Sequence, residues 1–478
     1  MGVRLRVREV RFGEREVELR LPFKFGSSVL KRTPQVFVGV CIELEDGRQA
    51  WGETAELLVP KWFDKTATRS NSQNLNQLRH SLRQAAQFYC GRGRPLTAFE
   101  LSAECYQELV VGGASCELPP LAASFGGAEL DKAVLDGVCR ALGISFQDAL
   151  RGNAPGIDFS RAAPDLDGFQ GARFLAGLAG SSRVAVRHTI GLLDPLTEDQ
   201  CFQDQSPDDG LPVSLEKVLG VYGPRYFKIK VSGDWEADLQ RLTTIAAILD
   251  RTKDSYWVTL DGNEQYRDRE GLLSLWGGIK AQSHLERFRA GILFIEQPLH
   301  RDLAFAIDIT PLAAEVPLII DESDGTMDAF LEARQAGYSG ISSKACKGLY
   351  KSLVNAARCQ GATDRVGRPL FLSAEDLTCQ PGLALQQDLA LIAGLGIPHV
   401  ERNAHHYVRG MAGAPEAEQY AFLEAHPDLY HLAAGRACLT IDRGEIALGS
   451  LATTGFASGA GIDWSSMGEM KDSTGELS

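Results

Sequence analysis

The fold is decided between Tyr226 and Cys346, where YFKIKV (226–231), YWVTLDGN (256–263), LFIEQPL (293–299), PLIIDES (317–323) and GISSKAC (340–346) follow one another. Each is a short apolar run closed by a charged residue, at Lys230, Asp261, Glu296, Asp321 and Lys344, with intervals of 31, 35, 25 and 23 residues. Short apolar runs separated by helical patterns read as the buried strands and crossovers of a parallel sheet. VAVRHTIGLL (184–193), PLFLSAED (369–376) and PHVERN (398–403) extend the series to eight. That spacing suits a TIM-type (β/α) barrel of seven or eight units better than an open sheet.

In such a barrel the C-terminal strand ends share one mouth, so these five charged residues are expected to converge there. One charged residue at a strand end says only that water begins there. Five in consecutive units, in the order K, D, E, D, K, make a constellation. Three carboxylates without His or Cys form a hard oxygen set suited to Mg²⁺, with Mn²⁺ as the alternative. A metal there would act on a substrate carboxylate and stabilise the charge left when the adjacent proton departs. Lys228 and Lys230 leave the same face of their strand. Their like charges, with burial, are expected to lower a lysine pKa towards the range of a general base. Glu375 and Glu401 end the seventh and eighth runs and are available to a substrate amine or hydroxyl. His188, on the first strand, and His405 and His406, after the eighth, are read mainly as bystanders, the last two as solvated loop residues.

Outside the barrel, VRLRVREV, REVELRL and VFVGVCIELEDGRQAWGE alternate as antiparallel strands, and helical patterns follow from Asn71. The expected domains are an α+β cap over 1–152, a barrel over 153–431 and a C-terminal segment over 432–478 that returns to the cap. Within these, 153–182 reads as a linker or inserted loop and the polar tail from Asp463 as frayed.

With 44% hydrophobic residues in 478, the chain can bury two cores. A net charge of −13 argues against nucleic-acid and anionic-membrane partners. No apolar run approaches the roughly 20 residues of a membrane span, so a soluble, cytoplasmic protein is expected. Ten cysteines without a C-x-x-C pair point to reduced, mostly buried thiols. Hydrolase, protease, NTPase and Rossmann signatures do not occur.

Taken together, KIK (228–230), DGN (261–263), IEQPL (295–299), DES (321–323) and SSKACKG (342–348) resemble the enolase superfamily, specifically the muconate-lactonizing branch of its mandelate racemase/muconate lactonizing enzyme group. PFKFGSS (22–28) and IELEDGRQAWGETAE (42–56) resemble that family's capping domain, so the likeness spans nearly the whole chain. The resemblance implies Asp261, Glu296 and Asp321 as metal ligands, with Glu322 as the alternative to Asp321. It implies Lys230 and Lys344 as an acid/base pair on opposite faces of a small carboxylate substrate, Lys344 being favoured over Lys347. It further implies Lys228 as the residue that tunes Lys230, Asn263 and Glu322 behind the ligands, lid loops near Phe23–Ser28 and Ala55–Lys61, and a homo-oligomer. Two departures restrict the substrate. Glu401-Arg402-Asn403 replaces the D-x-D of dipeptide epimerases, and strand seven has no histidine for a His-Asp dyad. A racemase or epimerase is the first expectation and a cycloisomerase or acid-sugar dehydratase the second. A non-catalytic barrel and a lysine Schiff-base aldolase stand as other classes.

Overall fold

The computed structural model describes residues 2–26, 28–201 and 207–471. The alternating N-terminal segments form one long strand, β1 (Arg4–Phe25), with register shifts at Val7/Glu9 and Glu18/Phe23 that let it bend. It pairs antiparallel with β2 (Ser28–Leu44), which reverses at Glu45-Asp46-Gly47 into β3 (Gln49–Leu57). Three helices cover the sheet: α1 (Asn71–Cys90), α2 (Ala98–Ser115) and α3 (Pro120–Leu142). Reciprocal caps start two of them, Ser70 with Gln73 and Thr97 with Glu100. The apolar stripe from Leu130 to Leu142 predicts a one-sided helix, yet α3 is buried on every side from Leu121 to Cys139. It runs through the middle of the cap. A Cβ on Gly52 would lie 2.0 Å from the Ala133 carbonyl oxygen, and one on Gly126 2.2 Å from that of Ser81, so glycine alone permits α3 to approach β3 and α1 this closely.

Eight parallel strands form the barrel: Arg183–Ile190, Tyr226–Lys230, Trp257–Asp261, Ile292–Glu296, Leu318–Ile320, Gly340–Ser343, Phe371–Ala374 and His399–Arg402. Pairing of the eighth with the first, Glu401 opposite Arg187, closes it. The barrel and cap are therefore those expected from the sequence. Register sets the depth of each side chain. Lys230, Asp261 and Glu296 are lateral neighbours on strands two to four. Lys228 lies one inward layer deeper, between Thr189 and Thr259.

The stretch 153–182 contains the helical turns Phe159–Ala162 and Gly171–Ala176, held by the rings of Phe159, Phe169 and Phe174 with centroids 5.4–5.6 Å apart. Each is too short to show a period. Beyond helix Glu416–Ala425, the strands flanking Asp442-Arg443-Gly444 pair with different partners. Arg436–Leu439 forms a hairpin with Tyr430–Ala433, and Glu445–Ala447 joins the first barrel strand. The tail from Asp463 is tied down as far as it is described: Trp464 Nε1 donates to Glu53 at 2.6 Å, and Gly468–Glu469 pairs with β1. Residues 472–478 of that tail, and Ser27 of the first lid loop, lie outside the described residues. Six of the ten cysteines are buried. Among the described residues no helix is long and apolar enough to cross a membrane.

Candidate active site

At the mouth, Lys228, Lys230, Asn263, Asp321, Lys344, Asp376, Thr378, Glu401 and Asn403 surround a small cavity of about 30 Å³. Phe23, Phe25, Val59 and Trp62 from the cap roof it. Space of this size holds only one or two waters. Strands two and six lie on opposite sides of an eight-stranded barrel, so Lys230 and Lys344 enter from opposite walls. Each has an aromatic ring above its ammonium, Phe23 at 5.8 Å from Lys230 and Trp62 at 5.1 Å from Lys344. Lys230 pairs with Asp261 at 2.6 Å, and Lys344 with Asp321 at 3.2 Å. Burial works against the Lys344 ammonium, and Asp321, Glu401 and Glu296 together outweigh it, raising its pKa.

Lys228 is the centre of the charge network. Its Nζ lies 3.0 Å from Asp261, 2.8 Å from Glu296, 2.6 Å from Glu375 and 2.9 Å from Glu401. Burial would push this ammonium down, but the four carboxylates hold its pKa well above the lysine range. That corrects the expectation from like charge alone: Lys228 is a fixed cation because the carboxylates outnumber its lysine neighbour. Asp261 is depressed, since Lys228 and Lys230 outweigh burial. Glu296 is raised far above the usual range by burial, with Asp261 and Glu375 adding to it.

Asp321, not Glu322, faces the cavity. Gln297 Oε1 accepts from the Asp321 backbone N–H at 2.8 Å and Ser342 donates to its carboxylate, while Lys344 and Lys347 hold its pKa low against burial. Glu322 turns away to accept from Asn263 Nδ2 at 3.1 Å, and burial raises it to about 7, with Asp321 and Glu264 adding to the effect against Lys65. Lys347 packs behind Asp321, donating to Ser342 O and Oγ at 2.7 and 2.8 Å and pairing with Asp324 at 3.0 Å. Lys344 is thus the sixth-strand lysine that reaches the cavity.

Of the two glutamates offered to substrate, Glu375 is engaged by Arg187, Ser373 and Lys228 below the cavity. Glu401 lines the cavity with its oxygens accepting from Thr189, Lys228 and the Asp376 N–H. Both hold Lys228 in place. His188, His405 and His406 are buried together outside the mouth, His188 Nδ1 being 3.1 Å from His405 Nε2. The loop position of His405 and His406 suggested solvent, but Arg20 and Tyr407 bring the cap down over them.

The chain covers 95% of its length and 99% of the other in alignment with a dipeptide epimerase from Enterococcus faecalis V583 complexed with Mg and L-Leu-L-Tyr, with a TM-score of 0.61 at 15% identity. A muconate lactonizing enzyme from Mucobacterium Smegmatis complexed with muconolactone gives 0.61 at 16% identity, over 96% and 98% of the two chains. The L-Ala-D/L-Glu epimerase from Bacillus subtilis gives 0.60 at 18%, over 96% and 100%. The chain has the mandelate racemase/muconate lactonizing fold. No family model matches it, and no curated protein sequence does.

The carboxylates at the ends of strands three to five are hard-oxygen donors that could hold a metal. Among the described residues no three of His, Cys, Asp or Glu stand arranged to hold a metal ion. Lys228 Nζ bridges Asp261 and Glu296 instead. The donor chemistry nonetheless fits Mg²⁺: the oxygens are hard and buried, and Glu296 Oε2 and Asp321 Oδ2 contact cations, the ammonium groups of Lys228 at 2.8 Å and Lys344 at 3.2 Å. Gln297 was not singled out in the sequence. Its Oε1 accepts from both Asp321 and Ser323 N–H, joining strands four and five. Asn263, Glu264, Gln297 and Thr378 all have positive φ around this mouth, a clustering of costly backbone that a functional site maintains. Arg301, also unremarked in the sequence, pairs with Glu264 and donates to the carbonyls of Trp62 and Phe63, fastening the roof.

Proposed function

We propose that this chain is a Mg²⁺-dependent enolase-superfamily enzyme that removes the proton α to a carboxylate, and that it acts as a racemase or epimerase. The observation that carries the proposal is the placement of Lys230 and Lys344 on opposite walls of one buried cavity. A 1,1-proton transfer needs one group to take a proton from one face of a carbon and another to return one to the opposite face. Asp261, Glu296 and Asp321 would hold the metal, which supplies Lewis-acid stabilisation of the enediolate. Lys228, fixed by Glu375 and Glu401, offsets the remaining negative charge beneath them. The aromatic roof excludes water and favours a substrate whose far end is apolar.

Strand eight disfavours a dipeptide. Arg402 is tied to Asp376 and Asp388, and Glu401 to Lys228, so among the described residues no free carboxylate pair faces the cavity to receive an ammonium. Cycloisomerisation and acid-sugar dehydration share the first proton abstraction. The muconate lactonizing enzyme of the same fold keeps the former as the second reading.

The test is a screen of N-acyl amino acids, amino acids and acid sugars in D₂O with Mg²⁺, reading deuterium at the α-carbon by mass spectrometry. Exchange should fall by about 10²–10⁴-fold in both Lys230→Ala and Lys344→Ala. Turnover without α-exchange would sink the racemase reading. Calorimetry showing no Mg²⁺ binding at millimolar concentration would favour a non-catalytic barrel, and borohydride trapping of a carbonyl substrate a Schiff-base aldolase.

A further inference from the structure

A second cavity, of about 680 Å³, lies between α2 and α3 of the cap and the helix Leu349–Cys359 that follows the sixth barrel strand. It falls within the size range of small-molecule sites. Tyr89, Phe99, Leu109 and Met327 give it an aromatic and apolar wall. Lys347 and Lys351 line its inner side, and the same Lys347 contacts Asp321 at 3.4 Å, so the cavity stands back to back with the mouth across a layer of charge.

Two donors at this cavity have unused hydrogen-bonding capacity. Tyr350 is 4% exposed and its hydroxyl has no hydrogen-bond partner. Lys351, also 4% exposed, has its Nζ at 2.6 Å from the Asp324 backbone oxygen and 3.3 Å from Asp324 Oδ1, which engages two of its three protons. Asp324 is shared between Lys347 and Lys351, one carboxylate against two ammonium groups. The acidic side chain on the opposite wall, Asp131, already accepts from Tyr89 and Ser102, both at 2.7 Å. At the rim, Glu108 pairs with Arg92, and Glu104 with Arg94 and Arg161. A buried donor left unmade is costly, and here an acceptor carried by a ligand would remove that cost.

We infer that this cleft is a second binding site, separate from the mouth, for a small aromatic carboxylate whose ring packs on the apolar wall and whose carboxylate accepts from Tyr350 and Lys351. The inference does not depend on the proposed reaction. No turnover is read in its test.

The test is calorimetric titration of the full chain with 2-naphthoate and with the neutral 2-naphthamide. Saturable naphthoate binding below about 1 mM is expected, with the amide about tenfold weaker. Ala103→Trp, which fills the cleft from a half-buried position on α2, and Lys351→Met should each weaken naphthoate binding about tenfold or more. Lys344→Ala, altered only at the mouth, should bind as wild type does. Absence of saturable binding, equal binding of acid and amide, or loss in Lys344→Ala with retention in Ala103→Trp would each overturn the inference. Near-native circular dichroism of Ala103→Trp keeps its loss of binding from being ascribed to unfolding.

Discussion

The mouth of the barrel and the cleft behind it contain the same chemistry at different densities. In the mouth, Lys228, Lys230 and Lys344 line about 30 Å³ of space with Asp321 and Glu401; Asp261, Glu296 and Glu375 pack against Lys228 outside that lining, so that Lys228 alone contacts four carboxylates. In the cleft, Lys347 and Lys351 share Asp324 beside about 680 Å³, with a tyrosine hydroxyl unpartnered. Dense, mutually paired charge in a sealed volume is preorganised for a small reacting group. Charge spread around a roomier volume with an apolar wall is suited to holding a larger molecule. Burial of a lysine therefore says little about its role until its partners are counted.

The largest test of that contrast replaces the same residue type in both regions. Lys228→Met leaves four buried carboxylates without their common cation and should cost about 3–5 kcal/mol in urea unfolding. Lys351→Met leaves Asp324 still paired with Lys347 and should cost about 1.5–3 kcal/mol. Equal losses would mean that the two networks do not differ in the way described.

The sealing of the mouth can be tested separately. Arg301→Met releases the carbonyls of Trp62 and Phe63. Cleavage by trypsin after Lys61 or Lys65 should then quicken about tenfold, more than the accompanying shift of the global unfolding midpoint accounts for. An unchanged rate would show that the roof is held by its own packing.

The cleft also offers a pH-dependent test. Burial raises Asp131 to about 7, from near 4 in an unfolded chain. The folded protein thus binds this proton more tightly, so the contribution of Asp131 is complete below about pH 4 and is lost as pH rises through about 7. Wild-type stability should fall relative to Asp131→Asn across that interval, as measured by denaturant titration at successive pH values. Parallel curves would exclude the linkage. The smallest change is expected at the exposed pair Arg183–Glu445, where Arg183→Ala should stay within about 0.5 kcal/mol of wild type by the same method.

Much of the barrel was legible because its strands are short apolar runs whose period and terminal residues are local properties. All eight runs form strands, and the order of Lys230, Asp261, Glu296, Asp321 and Lys344 at or beside their ends was legible from spacing. The all-round burial of α3 was not, because Gly52 and Gly126 admit close neighbours from distant parts of the chain. The tethers Arg301 and Gln297 were hidden for a similar reason. Their partners, Trp62 and Phe63 for one and Asp321 and Ser323 for the other, come from other strands and loops. The short helices of 153–182 carry too few residues for a period to emerge.

The sequence by itself determined which residue types end each strand, their order around the barrel and which of them share a strand face, since a period of two is a property of the local backbone. Packing in three dimensions decided that Lys228 meets four carboxylates, that Asp321 and Lys344 rather than Glu322 and Lys347 face the cavity, and that a second cleft lies behind them. Depth, facing and charge balance are set by through-space neighbours. Electrostatic energy in a buried site depends on those distances, which no linear spacing contains.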